Sequence, residues 1–151
     1  MILYLLRHGD AEIYSSSGDR DRTLTEEGMS QAKIAGRYLI DKHPDIVLLS
    51  TYVRAKETLE IVNLAGGSCA LREFVSIDVA PGADVEDLLI EINAYHEDSL
   101  LVVGHNPQLS SLIYYITGEE KVMGNCSFAE IDLATKKLIN FKSVEDMACM
   151  K

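Results

Sequence analysis

The chain has 151 residues, of which 47% are hydrophobic and 25% charged, so it is long enough for a single packed domain over 1–151 and too apolar for general disorder. Its net charge of −10 argues against nucleic acid or an anionic membrane as a partner, because both require a basic footprint. Three cysteines, Cys69, Cys126 and Cys149, are odd in number and far from C-x-x-C spacing, which argues against a disulfide framework or a zinc site and for thiols in a reducing compartment.

The first element is the apolar run Ile2 to Leu6, closed by Arg7. It is too short for a signal peptide or a membrane span and has no basic segment before it. It reads as a buried strand of an α/β sheet in a cytoplasmic protein. A polar stretch over about residues 9–24 follows, rich in Ser, Asp and Arg. Irregular segments of that length are uncommon in compact domains, so this one is expected to be functional or mobile.

Thr25 is placed to cap a helix whose first turn holds Glu26 and Glu27, where the helix dipole favours acids. Ala32, Ala35 and Leu39 give that helix an apolar face, and it is expected to reach about Lys42, short of Pro44. Asp45 to Ser50 predicts a second short buried strand. A helix from about Tyr52, carrying Ala55, Leu59 and Val62, is expected to end near Gly66-Gly67. Ala70 to Phe74 predicts a short edge strand, and Asp84 a capped helix with Val85, Leu88, Leu89 and Ile92 facing inward. Ser99 to Gly104 is a third buried strand. Asn106-Pro107 signals a helix start, because asparagine caps and proline fits the first turn, and Gly118 signals its end. Residues 127–133 and 137–141 alternate as a terminal antiparallel pair, and the last ten residues give no clear signal. This order predicts a three-layer α/β/α sandwich with a mostly parallel central sheet and a C-terminal antiparallel pair.

In such sheets ligands bind beyond the carboxyl ends of the strands. Arg7-His8-Gly9 follows the first strand, Arg54 sits just past the second, and Gly104-His105-Asn106-Pro107 follows the third. Arg7, His8, Arg54 and His105 are thereby expected on one rim of an acidic protein that has only 14 Lys and Arg and 4 His. Two forked guanidinium groups suit phosphate oxygens. A helix opening at Pro107 would add free N–H groups, and Gly9 and Gly104 would let a ligand approach the backbone. Cationic neighbours push a histidine toward its neutral, nucleophilic form. The pattern points to phosphoryl chemistry.

Four segments carry a family resemblance. Arg7-His8-Gly9 resembles the R-H-G signature of the histidine phosphatase, or phosphoglycerate mutase-like, superfamily. The run from Ser50 through Arg54-Ala55 to Thr58 resembles its S-x-x-x-R-A-x-x-T segment, and Gly104 to Pro107 its third motif. The run from Arg22 through Leu24-Thr25 to Gly28 resembles the R-x-L-T-x-x-G of the SixA-type phosphohistidine phosphatases. The resemblance implies that His8 attacks phosphorus and becomes phosphorylated, that Arg7, Arg54 and His105 hold the phosphoryl oxygens, and that Arg22 and Asn106 contact substrate. It implies no cofactor and no metal, a phosphorylated protein or small phosphorylated substrate as partner, and inorganic phosphate as product. The family's acid donor has three candidates, Glu73, Asp78 and Asp10, none of them in a clear motif. Three rivals remain: a metabolite phosphatase or mutase of the same superfamily, a metal hydrolase built on His8, Asp10, Glu12 and His105, and a non-catalytic phosphate or phosphopeptide-binding module. His43 and His96 read as surface residues, and Tyr114-Tyr115 as core and rim.

Overall fold

The computed structural model describes residues 1–68 and 70–149, so the expectation for Cys69 lies outside the described residues. The first apolar run forms β1 (Ile2–Arg7). Thr25 caps α1 (Glu26–Tyr38), its side chain accepting from the Gly28 N–H. Two βα units follow: β2 (Ile46–Leu49) with α2 (Val53–Leu64), then the edge strand β3 (Arg72–Val75) with α3 (Val85–Asn93). Next come β4 (Ser99–Gly104) and α4 (Gln108–Thr117), and then the pair β5 (Phe128–Asp132) and β6 (Lys137–Lys142). The last described element is a short helix α5 (Val144–Ala148), which the last ten residues had not signalled.

Three local expectations need correction. Helix α1 stops at Tyr38 rather than near Lys42, because the chain tightens there: Ile40 N–H reaches the Arg37 carbonyl and Lys42 N–H the Leu39 carbonyl. The edge strand begins at Arg72 rather than Ala70. Helix α4 begins one residue later than Asn106-Pro107 suggests, with Pro107 at the capping position.

The sheet has six strands in the order β3-β2-β4-β1-β5-β6. The first four are mutually parallel, and β5 and β6 close the sheet antiparallel. Alternate side chains of each inner strand feed two cores. Tyr4 and Leu6 face Ala32, Ala35, Leu59, Val62, Val144 and Met147 of α1, α2 and α5. Leu3 and Leu5 face Leu88, Ile92, Leu109, Leu112 and Ile113 of α3 and α4. The sheet is therefore covered on both faces, as continuous apolar strands require.

This topology fixes where a ligand can sit. Strands β1 and β4 are neighbours, yet the helix after β1 lies on one face and the helix after β4 on the other. A crevice opens at such a switch point, beyond the carboxyl ends. No helix among the described residues is long and apolar enough to cross a membrane.

Candidate active site

The register pairs Arg7 with Gly104 and Leu49 with Val103, so β1, β4 and β2 end side by side. The pairing runs one residue further on each side. His8 N–H donates to the Gly104 carbonyl at 3.1 Å, and Ser50 N–H to the Val103 carbonyl at 3.2 Å. His8 and His105 thus emerge from adjacent strand ends, with ring centroids 4.9 Å apart. Both are buried, at 7% and 1% exposure, and so is Arg54 at 5%.

The hydrogen bonds assign His8 its tautomer. Its Nδ1 lies 2.7 Å from the Gly9 carbonyl, which only accepts, so Nδ1 carries the proton and Nε2 the lone pair. Arg54 Nε–H points at that lone pair from 3.4 Å. Burial, with Arg54 and Arg7 adding to it, lowers the His8 pKa from 6.5 to about 4. His105 is lowered to about 3 by burial, His8 and Arg54. Both imidazoles are therefore neutral at pH 7.

The helix side of the site is set by α2. Arg54 stands in its first turn, where Tyr52 stacks under the guanidinium, 4.9 Å from Cζ to the ring centroid. The same Tyr52 ring meets His105 edge-on at 5.3 Å. Ser50 Oγ lies 2.6 Å from His105 Nε2 and accepts from the Tyr52 N–H. One turn along, Thr58 Oγ1 accepts from the Gly9 N–H at 3.0 Å and donates to the Arg54 carbonyl at 2.7 Å. Thr58 therefore ties the loop holding His8 to the helix holding Arg54.

Arg7 Nη1–H donates to the Met123 carbonyl, as does Asn106 Nδ2–H, so one acceptor from a remote loop holds both. Two buried donor-capable atoms at this end, Arg7 Nε and His105 Nδ1, have no hydrogen-bond partner among the described residues. Such atoms are rare and costly in folded proteins.

The structure places the remaining sequence-selected residues as follows. Gly9 does not clear a path for a ligand: a Cβ there would lie 2.7 Å from the Gly28 carbonyl oxygen, so its small size lets α1 pack on the loop. Gly104 likewise faces Val79, at 2.9 Å. Asn106 Oδ1 accepts from both Ser110 N–H and Ser110 Oγ, and its amide is spent on Met123. The first turn of α4 offers fewer free N–H groups than its sequence suggests. Leu109 donates to the His105 carbonyl, Ser110 to Asn106 and Ser111 to the Pro107 carbonyl.

Arg22 reaches the site through the polar loop, with Nε–H on Asp19 and Nη1–H on the Glu12 carbonyl. The Asp10 carboxylate is engaged on both oxygens: Thr25 Oγ1–H donates to its Oδ2, and Asn125 Nδ2–H to its Oδ1. Asp78 lies on the 3-10 turn Ile77–Val79, beside Ser76 and Glu91, with its carbonyl held by Gln108. Glu73 is exposed on the edge strand, in a groove shared with Lys56, Glu60 and Asn63. Among the described residues no group of His, Cys, Asp and Glu is arranged to hold a metal ion.

Sequence reasoning missed Ser50, Tyr52, Thr58 and Asp19 as parts of the site. The first three lie inside the segment quoted around Arg54, and their spacing was the available signal. Asp19 had none, because it enters through the irregular loop. Its main-chain carbonyl accepts from Arg54 Nη1 at 3.0 Å, and its carboxylate lies 3.6 Å from Arg54 Nη2.

Comparison with known proteins bears on the family. A family model described as histidine phosphatase superfamily (branch 1) matches residues 3–74. A phosphohistidine phosphatase SixA homolog of Haemophilus influenzae is 28% identical over 130 residues, covering 79% of each chain. The structure of a protein histidine phosphatase SixA complexed with tungstate superposes with a TM-score of 0.89 at 24% identity, over 97% of this chain and 99% of that one. A protein of Agrobacterium tumefaciens, provisionally assigned as a phosphohistidine phosphatase SixA, gives 0.83 at 28% identity, over 94% and 97%. The chain belongs to branch 1 of the histidine phosphatase superfamily and is SixA-like.

Proposed function

We propose that the chain is a phosphatase that works through a phosphohistidine formed on His8, and that its substrate is a phosphohistidine-bearing protein. The observation that carries the reading is the pairing of a neutral His8, its Nε2 lone pair directed by the Gly9 carbonyl, with a buried cationic and donor-rich wall. Nε2 attacks phosphorus, the N–P bond forms, and the bond to the leaving nitrogen breaks. Arg7 and Arg54 neutralise the oxygens during transfer. If the Ser50 hydroxyl proton points at His105 Nε2, then His105 Nδ1–H is free to donate to the same oxygens, which supports its role beside His8. Water attacks the phosphohistidine in a second step and releases inorganic phosphate.

Two of the three candidate acid donors are poorly placed for that role, which favours a P–N substrate. Asp10 is doubly engaged and Glu73 is exposed on the edge strand. A protonatable nitrogen leaves more readily than an alkoxide and depends less on a donor.

One observation favours a second reading, a phosphatase for small esters. Ser76 Oγ–H donates to Glu91 at 2.5 Å, and burial together with Asp78 pushes the Glu91 carboxyl above its usual range. Val79, the neighbour of Asp78, packs on Gly104 next to His105. A carboxyl group at that place would serve as the acid for an alcohol leaving group.

The test is turnover of a phosphohistidine protein or a simple phosphoramidate against an aryl phosphate, with chelator present. A clear preference for the P–N bond is expected. Preference for the ester would move the assignment to small esters, with Asp78→Asn then expected to slow it. Turnover of neither substrate would sink the enzymatic reading.

A further inference from the structure

The loop over residues 9–24 contacts the site through Asp19. Its 3-10 turn Asp19–Asp21 is anchored on α2, and it delivers a carboxylate to Arg54, which the functional reading assigns to the phosphoryl group, and to its neighbour Arg22. Asp19 Oδ1 accepts from Arg22 Nε–H at 2.8 Å, and Oδ2 lies 3.6 Å from Arg54 Nη2. Arg54 is a buried cation, only 6% exposed at its side chain, whereas the Asp19 side chain is 58% exposed and has room to swing into solvent. The third contact is of a different kind. Arg54 Nη1–H donates to the Asp19 main-chain carbonyl, and a side-chain rotation leaves that bond intact.

We propose that Asp19 is an internal competitor for phosphate: its carboxylate spans Arg22 and Arg54 in the manner of a phosphoryl group and sets how tightly the site holds substrate and product. The inference rests on the reading of this rim as a phosphoryl site. An anion that takes the same N–H groups must displace the carboxylate, so part of its binding energy is lost to breaking two ion pairs. An anion with a single acceptor atom cannot replace both contacts and is disfavoured. Inorganic phosphate, which retains the charge of the transferred group but lacks its carrier, is held less tightly and leaves sooner. The carbonyl contact keeps Arg54 aimed throughout, which separates the orienting role of the backbone from the competing role of the side chain.

Asp19→Asn removes the charge, keeps the shape and keeps the main-chain carbonyl. Exposed ion pairs are each worth a factor of about 1.5 to 5, so the variant is expected to bind inorganic phosphate about three- to tenfold more tightly by calorimetry. The KM for a phosphoramidate and the inhibition constant of phosphate should fall together, while kcat does not rise. Asp19→Ala should behave alike. An unchanged or weaker phosphate affinity in both variants would overturn the proposal and make Asp19 an orienting residue. Failure of the underlying reading looks different: phosphate would bind neither the unaltered chain nor the variants, or would bind equally well after Arg54→Ala, and either result overturns the proposal along with it.

Discussion

Two buried polar clusters, one at each end of the parallel sheet, are partnered in opposite ways. At the amino end of β2 and β4, Ser99 is buried and paired with Asp45, and the polar groups of that pair are matched to each other. Its N–H donates to Asp45 Oδ2, its hydroxyl donates to the same carboxylate, and the Asp45 N–H returns to the Ser99 hydroxyl and carbonyl. At the carboxyl end of β1 and β4, buried Arg7 Nε and His105 Nδ1 are left open, and the His8 lone pair meets only a long contact from Arg54. A satisfied network stabilises; an unsatisfied one costs stability and is retained where a ligand completes it. The comparison teaches where to look for function in a sheet that buries polar groups at both ends.

Substitutions at the two ends should therefore move different quantities. The largest effect is expected for His8→Ala, which removes the nucleophile and should lower turnover of a phosphoramidate at least about 10⁴-fold. The circular dichroism spectrum should be retained. Measurable turnover by that variant would refute covalent catalysis at His8. Arg54→Ala should lower kcat/KM about 10²- to 10³-fold, as for loss of one charge-stabilising donor, with a small change in the denaturation midpoint. A variant that unfolds would instead make Arg54 a structural ion, and the two ends would no longer differ in kind.

The next effect in size concerns pH. Unfolded histidines take up protons near pH 6.5, whereas His8 and His105 resist until about 4 and about 3. Between those limits the unfolded chain binds more protons than the folded one. Stability is therefore fullest above pH 6.5 and falls as the pH drops toward 3, by on the order of a few kcal/mol. Urea denaturation at pH 7, 6, 5 and 4 measures it. The double variant His8→Asn with His105→Asn should flatten the slope; an unchanged slope would place the acid sensitivity elsewhere.

How much of this was legible follows the range of the interactions involved. Strands β1 and β4 and the cap at Thr25 were readable because apolar runs and capping residues act locally. The four residues Arg7, His8, Arg54 and His105 were readable as a group because strand ends in a parallel sheet converge. The end of α1 was misjudged, since no glycine or proline marks Tyr38. Gly9 and Asn106 read as ligand-facing, yet Gly9 makes room for Gly28 and Asn106 is held by Ser110 and Met123. Gly28 and Met123 lie far along the chain, where a linear pattern does not encode them; Ser110 is one helical turn from Asn106 and was within reach of a local reading. Asp19 and the Met123 carbonyl were invisible for the same reason.

The smallest predicted effect closes the comparison from its quiet end. Asp45→Ala leaves the buried Ser99 N–H and hydroxyl without their carboxylate, a loss of about 1–3 kcal/mol in unfolding free energy. The network lies at the opposite end of β2 and β4 from Ser50 and His105, and neither residue bonds to any group in the site. Its kcat/KM at 25 °C should thus match that of the unaltered chain while its denaturation midpoint falls. Equal stability would show that water replaces the carboxylate without cost. A drop in activity at full folding would show that strain at one end of β4 reaches His105 at the other, and the division of labour between the two ends would have to be abandoned.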